Sequence, residues 1–212
     1  MSDFETLNEA VIKGDIQTAV TETQSALDSG QVIQDIIDNG LIAAMDEVGE
    51  KFSTGQLFVP QMLRSAKTMQ ECMALIKPLL QEGDTITKGI VVIGTVKGDL
   101  HDIGKNLVSM MLEGAGFDIE DLGVDVAPEA FVKKAQEVNA HVVGMSALLS
   151  ITMPAMADTI RALQNSGIRN KVKVMIGGAP VTDRYAREIQ ADSYAPDAAS
   201  AVIEAKKLLG IA

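Results

Sequence analysis

Residues 97–106 read Lys97-Gly98-Asp99-Leu100-His101-Asp102-Ile103-Gly104-Lys105-Asn106 and follow directly on an apolar run, Gly89–Val96. The run has strand length, so one of only two histidines in the chain falls at the carboxyl end of an expected strand, just before an expected helix start. A side chain in that place projects into a crevice. Asp99, two residues earlier, is placed to accept a ring N–H and so fix the tautomer and orientation of His101. A histidine oriented by a carboxylate suits metal ligation better than packing.

Two kinds of apolar period position this segment. As far as about Glu82, apolar residues recur every three to four positions, which predicts amphipathic helices. Leu7, Ala10 and Val11 mark a first helix, stopped by Gly14. Asp15 caps a second that carries Ile16, Ala19, Val20 and Leu27. Ile33, Ile36, Ile37, Leu41, Met45 and Val48 mark a third, ending near Thr54-Gly55. Pro60 suits the first turn of a fourth, with Met62, Leu63, Ala66, Met69, Met73, Ile76 and Leu80 in one stripe. Short connections between such helices make a four-helix bundle over residues 1–82. Residues 83–88 are polar and aperiodic and read as a linker. From Gly89 to residue 212, strand-length runs alternate with helical patterns. Strands are expected near Gly89–Thr95, Asp118–Leu122, His141–Ala147, Val172–Ile176 and Ser193–Ala195. Helices are expected near Ile103–Ala115, Pro128–Val138, Met153–Ser166, Asp183–Gln190 and Asp197–Leu209. This predicts a flavodoxin-like (Rossmann-like) domain with a five-stranded parallel sheet in the order 2-1-3-4-5, whose ligand crevice opens at the carboxyl ends of strands one and three.

Composition narrows the classes. The chain of 212 residues has 47% hydrophobic residues, enough for substantial cores, and a formal net charge of -11. An acidic surface neither neutralises phosphates nor docks on anionic lipid, so neither a nucleic acid nor a membrane is expected as partner. The single cysteine, Cys72, lies among Met69, Met73 and Ile76 at helical spacing and reads as a core thiol. One cysteine cannot form an internal disulfide, and Met1–Leu7 is polar rather than signal-like, so a cytoplasmic location is expected.

Three segments should gather at the crevice: Gly98–Gly104, Ser146–Thr152, and Gly177-Gly178-Ala179-Pro180. A dinucleotide would want Gly-x-Gly-x-x-Gly in the first of them, where acids stand instead. A phospho-receiver would want an aspartate after strand three, where Ser146 stands. A zinc site needs three or four ligands from a chain holding two histidines and one cysteine. His141 should begin strand three at the opposite end of the sheet. His101 then remains as a lone protein ligand, which suits a metal already held by a macrocycle, haem or corrin.

The pattern Asp99-x-His101-x-x-Gly104, then 41 residues, Ser146-x-Leu148, then 28 residues, and Gly177-Gly178 resembles the cobalamin-binding signature of methionine synthase and its relatives. The helical first domain resembles the cap that precedes the cobalamin domain there. Without further domains, the pair is similar to the small corrinoid methyl-carrier proteins of methyltransferase systems. The resemblance implies cobalamin or a related corrinoid bound with its own base displaced, and His101 as the axial ligand to cobalt. Asp99 and Thr152 would complete a chain that tunes the metal. Gly98, Asp99, Leu100, His101, Asp102, Ile103 and Gly104 would contact the cofactor from the first loop. Ser146, Leu148, Ser150 and Thr152, then Gly177, Gly178 and Ala179, and finally Tyr194 and Ala198, would line the slot for its nucleotide tail. Phe52, Val59 and Met62 fall where the family's cap residues fall, and the Gln81–Lys88 segment would act as the hinge.

On the same resemblance the protein is a carrier rather than a complete enzyme. One partner, a substrate-specific methyltransferase, would load the methyl group. A second would pass it to tetrahydrofolate or coenzyme M, and a reductive activase would restore the cobalt. A cobalamin-binding sensor is the alternative, although residues 1–30 are too short and acidic to supply a DNA-binding segment. The cobalamin subunit of a carbon-skeleton mutase shares the histidine motif but lacks such a cap.

Overall fold

The computed structural model describes residues 4–79 and 87–211. They form two compact units, the first starting at Phe4 and the second at Thr87.

The first unit is helical: α1 (Glu5–Lys13), α2 (Ile16–Asp28), α3 (Ile33–Asp35), a π-helical segment Ile36–Ile42, α4 (Ala43–Ser53), α5 (Val59–Ile76) and a 3-10 turn Lys77–Leu79. Gly14, at φ 69°, closes α1 in the left-handed conformation that favours glycine. Asp15 accepts the Thr18 N–H at 3.2 Å and caps α2. Pro60 sits in the first turn of α5, where its missing N–H has no helical partner to lose. Helix α5 packs on α1, α2 and α4, burying Met62, Ala66, Met69, Cys72 and Ile76. Burial pushes the Cys72 thiol up, away from the reactive thiolate.

The third expected helix differs from a plain amphipathic run. Its middle is π-helical, and five of its seven residues, Ile36, Ile37, Gly40, Leu41 and Ile42, are buried. The wider turn brings residues inward that a 3.6-residue period would leave outside. Asn8 of α1 donates its side-chain amide to the carbonyls of Asn39 and Gly40, at 3.0 and 2.5 Å. A Cβ on Gly40 would lie 2.8 Å from Leu7 Cδ2, so the close approach of α1 needs glycine there.

The second unit is the expected parallel sheet: β1 (Ile90–Thr95), β2 (Asp118–Asp121), β3 (Val142–Ser146), β4 (Lys173–Gly177) and β5 (Ser193–Ala195), in the order β2-β1-β3-β4-β5. Helices α6 (Ile103–Gly114), α7 (Pro128–Glu137), α8 (Pro154–Asn165), α9 (Asp183–Glu188) and α10 (Ala198–Leu209) alternate with the strands. The central strands are buried on both faces, so they read as continuous apolar runs. Val92, Val143, Val174 and Ile176 pack with Phe131 of α7 and Met156, Ile160 and Leu163 of α8 in one core.

Leu80 and residues 81–86 of the expected hinge lie outside the described residues. Thr87, read as linker, is built onto the sheet unit. Its Oγ1 accepts the N–H groups of Gly89 and Asp118, both at 3.1 Å. No helix among the described residues is long and apolar enough to cross a membrane.

Candidate functional site

Register sets the geometry. Thr95 pairs with Ser146, Ser146 with Gly177, and Gly177 with Ala195, so the last residues of four strands stand in one row. The loops that follow them are therefore neighbours, and the three segments singled out in the sequence meet at this edge.

Asp99 is the hub. Its carboxylate is fully buried, whereas the His101 side chain is 50% exposed. Oδ1 lies 2.7 Å from His101 Nδ1 and accepts the His101 backbone N–H at 3.1 Å. Oδ2 accepts the Thr152 hydroxyl at 2.7 Å and the N–H groups of Leu148 and Leu149 at 2.8 and 3.2 Å. Burial pushes the acid upward. The Thr152 hydroxyl, the His101 ring and the N–H groups of His101 and Leu148 outweigh that and hold it well below the usual carboxylate range. The ionised carboxylate then takes a proton-bearing Nδ1 as donor and leaves Nε2 as the ring atom with a lone pair. The Thr95 hydroxyl, buried in β1, donates to the His101 carbonyl at 2.9 Å and pins the backbone from below.

Apolar side chains surround this polar pair. Leu100, Ile103 and Ile151 are 71, 86 and 84% exposed, and Leu148 and Leu149 are also exposed. So many large exposed hydrophobes on adjacent loops mark a surface that receives something apolar. Gly104, in the first turn of α6, meets no heavy atom within 4 Å of where a Cβ would stand. Among the described residues nothing requires glycine there, and the space fits the approach of a ligand. Among the described residues no group of three or more His, Cys, Asp or Glu could hold a metal ion. One imidazole nitrogen, an apolar apron and an open glycine fit a flat macrocycle whose metal needs one axial donor from the protein.

The remaining expected residues fall as follows. Gly98, at φ 83°, forms the turn before Asp99. Asp102 accepts the Asn106 amide at 3.2 Å. Ser146 is half-buried at the end of β3, while Ser150 and Ala179 are exposed. Tyr194 is half-buried on β5, and Ala198 is buried at the start of α10. Gly177 and Gly178 have a reason internal to the chain. A Cβ on Gly178 would stand 1.9 Å from the Ala147 carbonyl oxygen, and one on Gly177 2.9 Å from that of Ala195. In the helical unit, Phe52 lies half-buried in the last turn of α4, Val59 is exposed at the start of α5, and Met62 is buried. Phe58, beside Val59, is 68% exposed and was not singled out in the sequence. His141 lies just before β3, and its Nδ1 accepts the Ile90 N–H at 3.0 Å.

Sequence reasoning missed a second polar cluster beside the first loop. The Lys105 side chain is buried, and its ammonium is held by Asp121 and by Asn106 Oδ1, the latter at 2.6 Å. This ties the first turn of α6 to the end of β2. A lysine on the inward face of an apolar helix was the available signal.

Fold and site together define a B12-binding protein. Two family models, each described as a B12 binding domain, match residues 89–203 and 3–77, and the chain belongs to this family, whose cofactor is cobalamin or a related corrinoid. The chain is 46% identical over 198 residues to dimethylamine corrinoid protein 1 of Methanosarcina acetivorans, covering 93% of this chain and 91% of that one. Among solved structures it is similar to a cobalamin-binding protein from Desulfitobacterium hafniense, with a TM-score of 0.81, 31% identity and coverage of 98% of this chain and 99% of that one. It is also similar to a chain of the methanol:cobalamin methyltransferase complex MtaBC from Methanosarcina barkeri. There the TM-score is 0.88 and the identity 29%, covering 98% of this chain and 80% of that one.

Proposed function

We propose that the protein carries a methyl group on a corrinoid between two methyltransferases, as a subunit without turnover of its own. The observation that carries this reading is the Thr152–Asp99–His101 chain ending in a half-exposed imidazole among exposed apolar side chains. When bound, the corrinoid supplies a cobalt that takes up and gives up the methyl group.

The chain's residues have separable tasks in this reading. His101 Nε2 would hold the cobalt of the bound corrinoid. Asp99 accepts Nδ1–H and so fixes the orientation of the ring. Thr152 and the Leu148 and Leu149 amides keep that carboxylate ionised and in place. Gly98, Leu100, Asp102, Ile103 and Gly104 receive the macrocycle. Ser146, Leu148, Ser150, Gly177, Gly178, Ala179, Tyr194 and Ala198 line the path of the nucleotide tail, and Phe52, Val59 and Met62 belong to the cap.

Among solved structures the identity is 36% to a monomethylamine corrinoid protein of Methanosarcina barkeri against 29% to the methanol-system chain, and the relatives by sequence include dimethylamine corrinoid proteins, which together favour a methylated amine as donor. The partners are then an amine-specific methyltransferase, a second methyltransferase that uses coenzyme M or tetrahydrofolate, and a reductive activase. The test is to load the protein with cobalamin, reduce it, and add dimethylamine or methanol with the matching purified methyltransferase. The expected result is methylation of the bound cobalt from dimethylamine. Methylation from methanol alone would overturn the donor assignment, and methylation from neither, with a carrier of known activity as control, would overturn the carrier reading.

A further inference from the structure

The hydrogen bonds around the β1–α6 loop point to a residue outside the cobalamin motif. We infer that Asp125, in the loop between β2 and α7, is a positioning residue that sets the His101 imidazole through the backbone of Gly98 and Asp99. The inference rests on the reading of His101 as axial ligand and deepens it.

The Asp99 carboxylate is held by the ring and backbone N–H of His101 and by the β3–α8 loop through Thr152, Leu148 and Leu149. The Asp99 backbone is gripped by Asp125. The Asp125 N–H donates to the Asp99 carbonyl at 2.9 Å, and Asp125 Oδ1 accepts the Gly98 N–H at 2.7 Å. One residue thus engages two consecutive residues of the loop, with its amide and its carboxylate. Asp125 does so from φ 54°, in the left-handed region, where a non-glycine residue is uncommon. Its neighbours leave little alternative. Val126 bridges to Val96, with its N–H on the Thr95 carbonyl at 3.0 Å, and the Gly123 carbonyl accepts the Thr95 N–H at 2.9 Å. The chain between these anchors must turn at Asp125, and the turn aims both polar groups at Gly98-Asp99. Gly98 itself is left-handed at φ 83°, so its N–H is presented by a conformation that the Asp125 carboxylate stabilises. The Asp99 N–H on the Val96 carbonyl, at 3.1 Å, closes the same turn, so without the Asp125 bond the turn loosens at Gly98. Asp99 then pivots about its carboxylate, and Nδ1 of His101 follows.

The test uses Asp125→Gly and Asp125→Asn in the full chain. Glycine keeps the left-handed turn and the amide but removes the carboxylate. Asparagine tolerates the same turn and keeps an acceptor oxygen. In the apoprotein, Gly98 amide exchange should be about tenfold faster in Asp125→Gly. The His101 ring-nitrogen signals should lose the single Nδ1–H form, and Asp125→Asn should restore both. In the cobalamin-loaded protein, the His-ligated fraction read from the absorption spectrum at pH 7 should fall in Asp125→Gly and recover in Asp125→Asn, with melting temperatures matched. Faster Gly98 exchange with unchanged His101 signals would overturn the inference, as would unchanged Gly98 exchange. Failure of the wild type to retain cobalamin would instead overturn the axial-ligand reading, and the apoprotein signals would still decide the role of Asp125.

Discussion

Asp99 works because everything it could need is supplied in a space that excludes water. An ionised carboxylate without exposure is tolerable only when its oxygens are filled with donors, and here five N–H, O–H or ring donors converge on it. Thr152→Val keeps the shape and removes one donor to a charged acceptor, which should cost the apoprotein about 1.5–3 kcal/mol by urea unfolding. A loss within a few tenths would show that the hydroxyl is replaceable by water. The sequence made the Asp99–His101–Thr152 chain legible because spacing and side-chain chemistry are both local signals, or match a three-segment pattern. It left Leu149 and Asp125 unread because their bonds run through backbone amides, and any residue type has one. The burial of Lys105 also escaped, since it depends on β2 ending in Asp121 beside α6.

The elements divide the glycines into those that serve the chain and those that do not. Gly178 stands at φ 125° with the Ala147 carbonyl in the way of any Cβ, so Gly178→Ala should destabilise the apoprotein by about 3 kcal/mol or more. Gly104 meets nothing. Gly104→Ala should stabilise the apoprotein by about 0.5 kcal/mol through helix propensity and a less flexible unfolded chain, while cobalamin is lost faster on dialysis. Equal effects of the two substitutions on apoprotein stability would contradict this division. The last strand and helix carry a separate pH dependence. Glu204 of α10 accepts from Lys207 at 2.6 Å and from Ser193 of β5 at 2.7 Å, and these donors hold its carboxyl below the usual range. A depressed folded value stabilises above the unfolded pKa of about 4.3 and is lost as pH falls through the folded value. Glu204→Gln should therefore be less stable than wild type at pH 7, with the gap closing below about pH 4. A gap that persists in acid would assign the effect to packing. The five strands followed from strand-length runs alternating with helical patterns, clearest for β1 and β3, which are buried on both faces, whereas the order followed from the commonest arrangement of a parallel sheet of this size. The π-helical turn at Ile36–Ile42 did not, since its contacts, among them the Asn8 amide of α1 on the Gly40 carbonyl, are tertiary and leave no period in the sequence.

At the scale of the molecule, two units with unlike interiors are joined in one chain, a helical bundle and a parallel sheet whose carboxyl edge carries a buried polar chain among exposed apolar side chains. Within the sheet unit, the row formed by Thr95, Ser146, Gly177 and Ala195 sets the loops that bring His101 together with Asp99 and Thr152. The central claim is that His101 Nε2 ligates the cobalt while Asp99 holds the ring. The most direct measurement is the absorption spectrum of the protein after incubation with hydroxocobalamin and desalting, taken beside His101→Ala. The account predicts retained corrin absorption in the wild type, with the spectrum of nitrogen-ligated cobalt, and a shift toward the base-off form in His101→Ala. Identical spectra for the two proteins, or no corrin retained by the wild type, would contradict it.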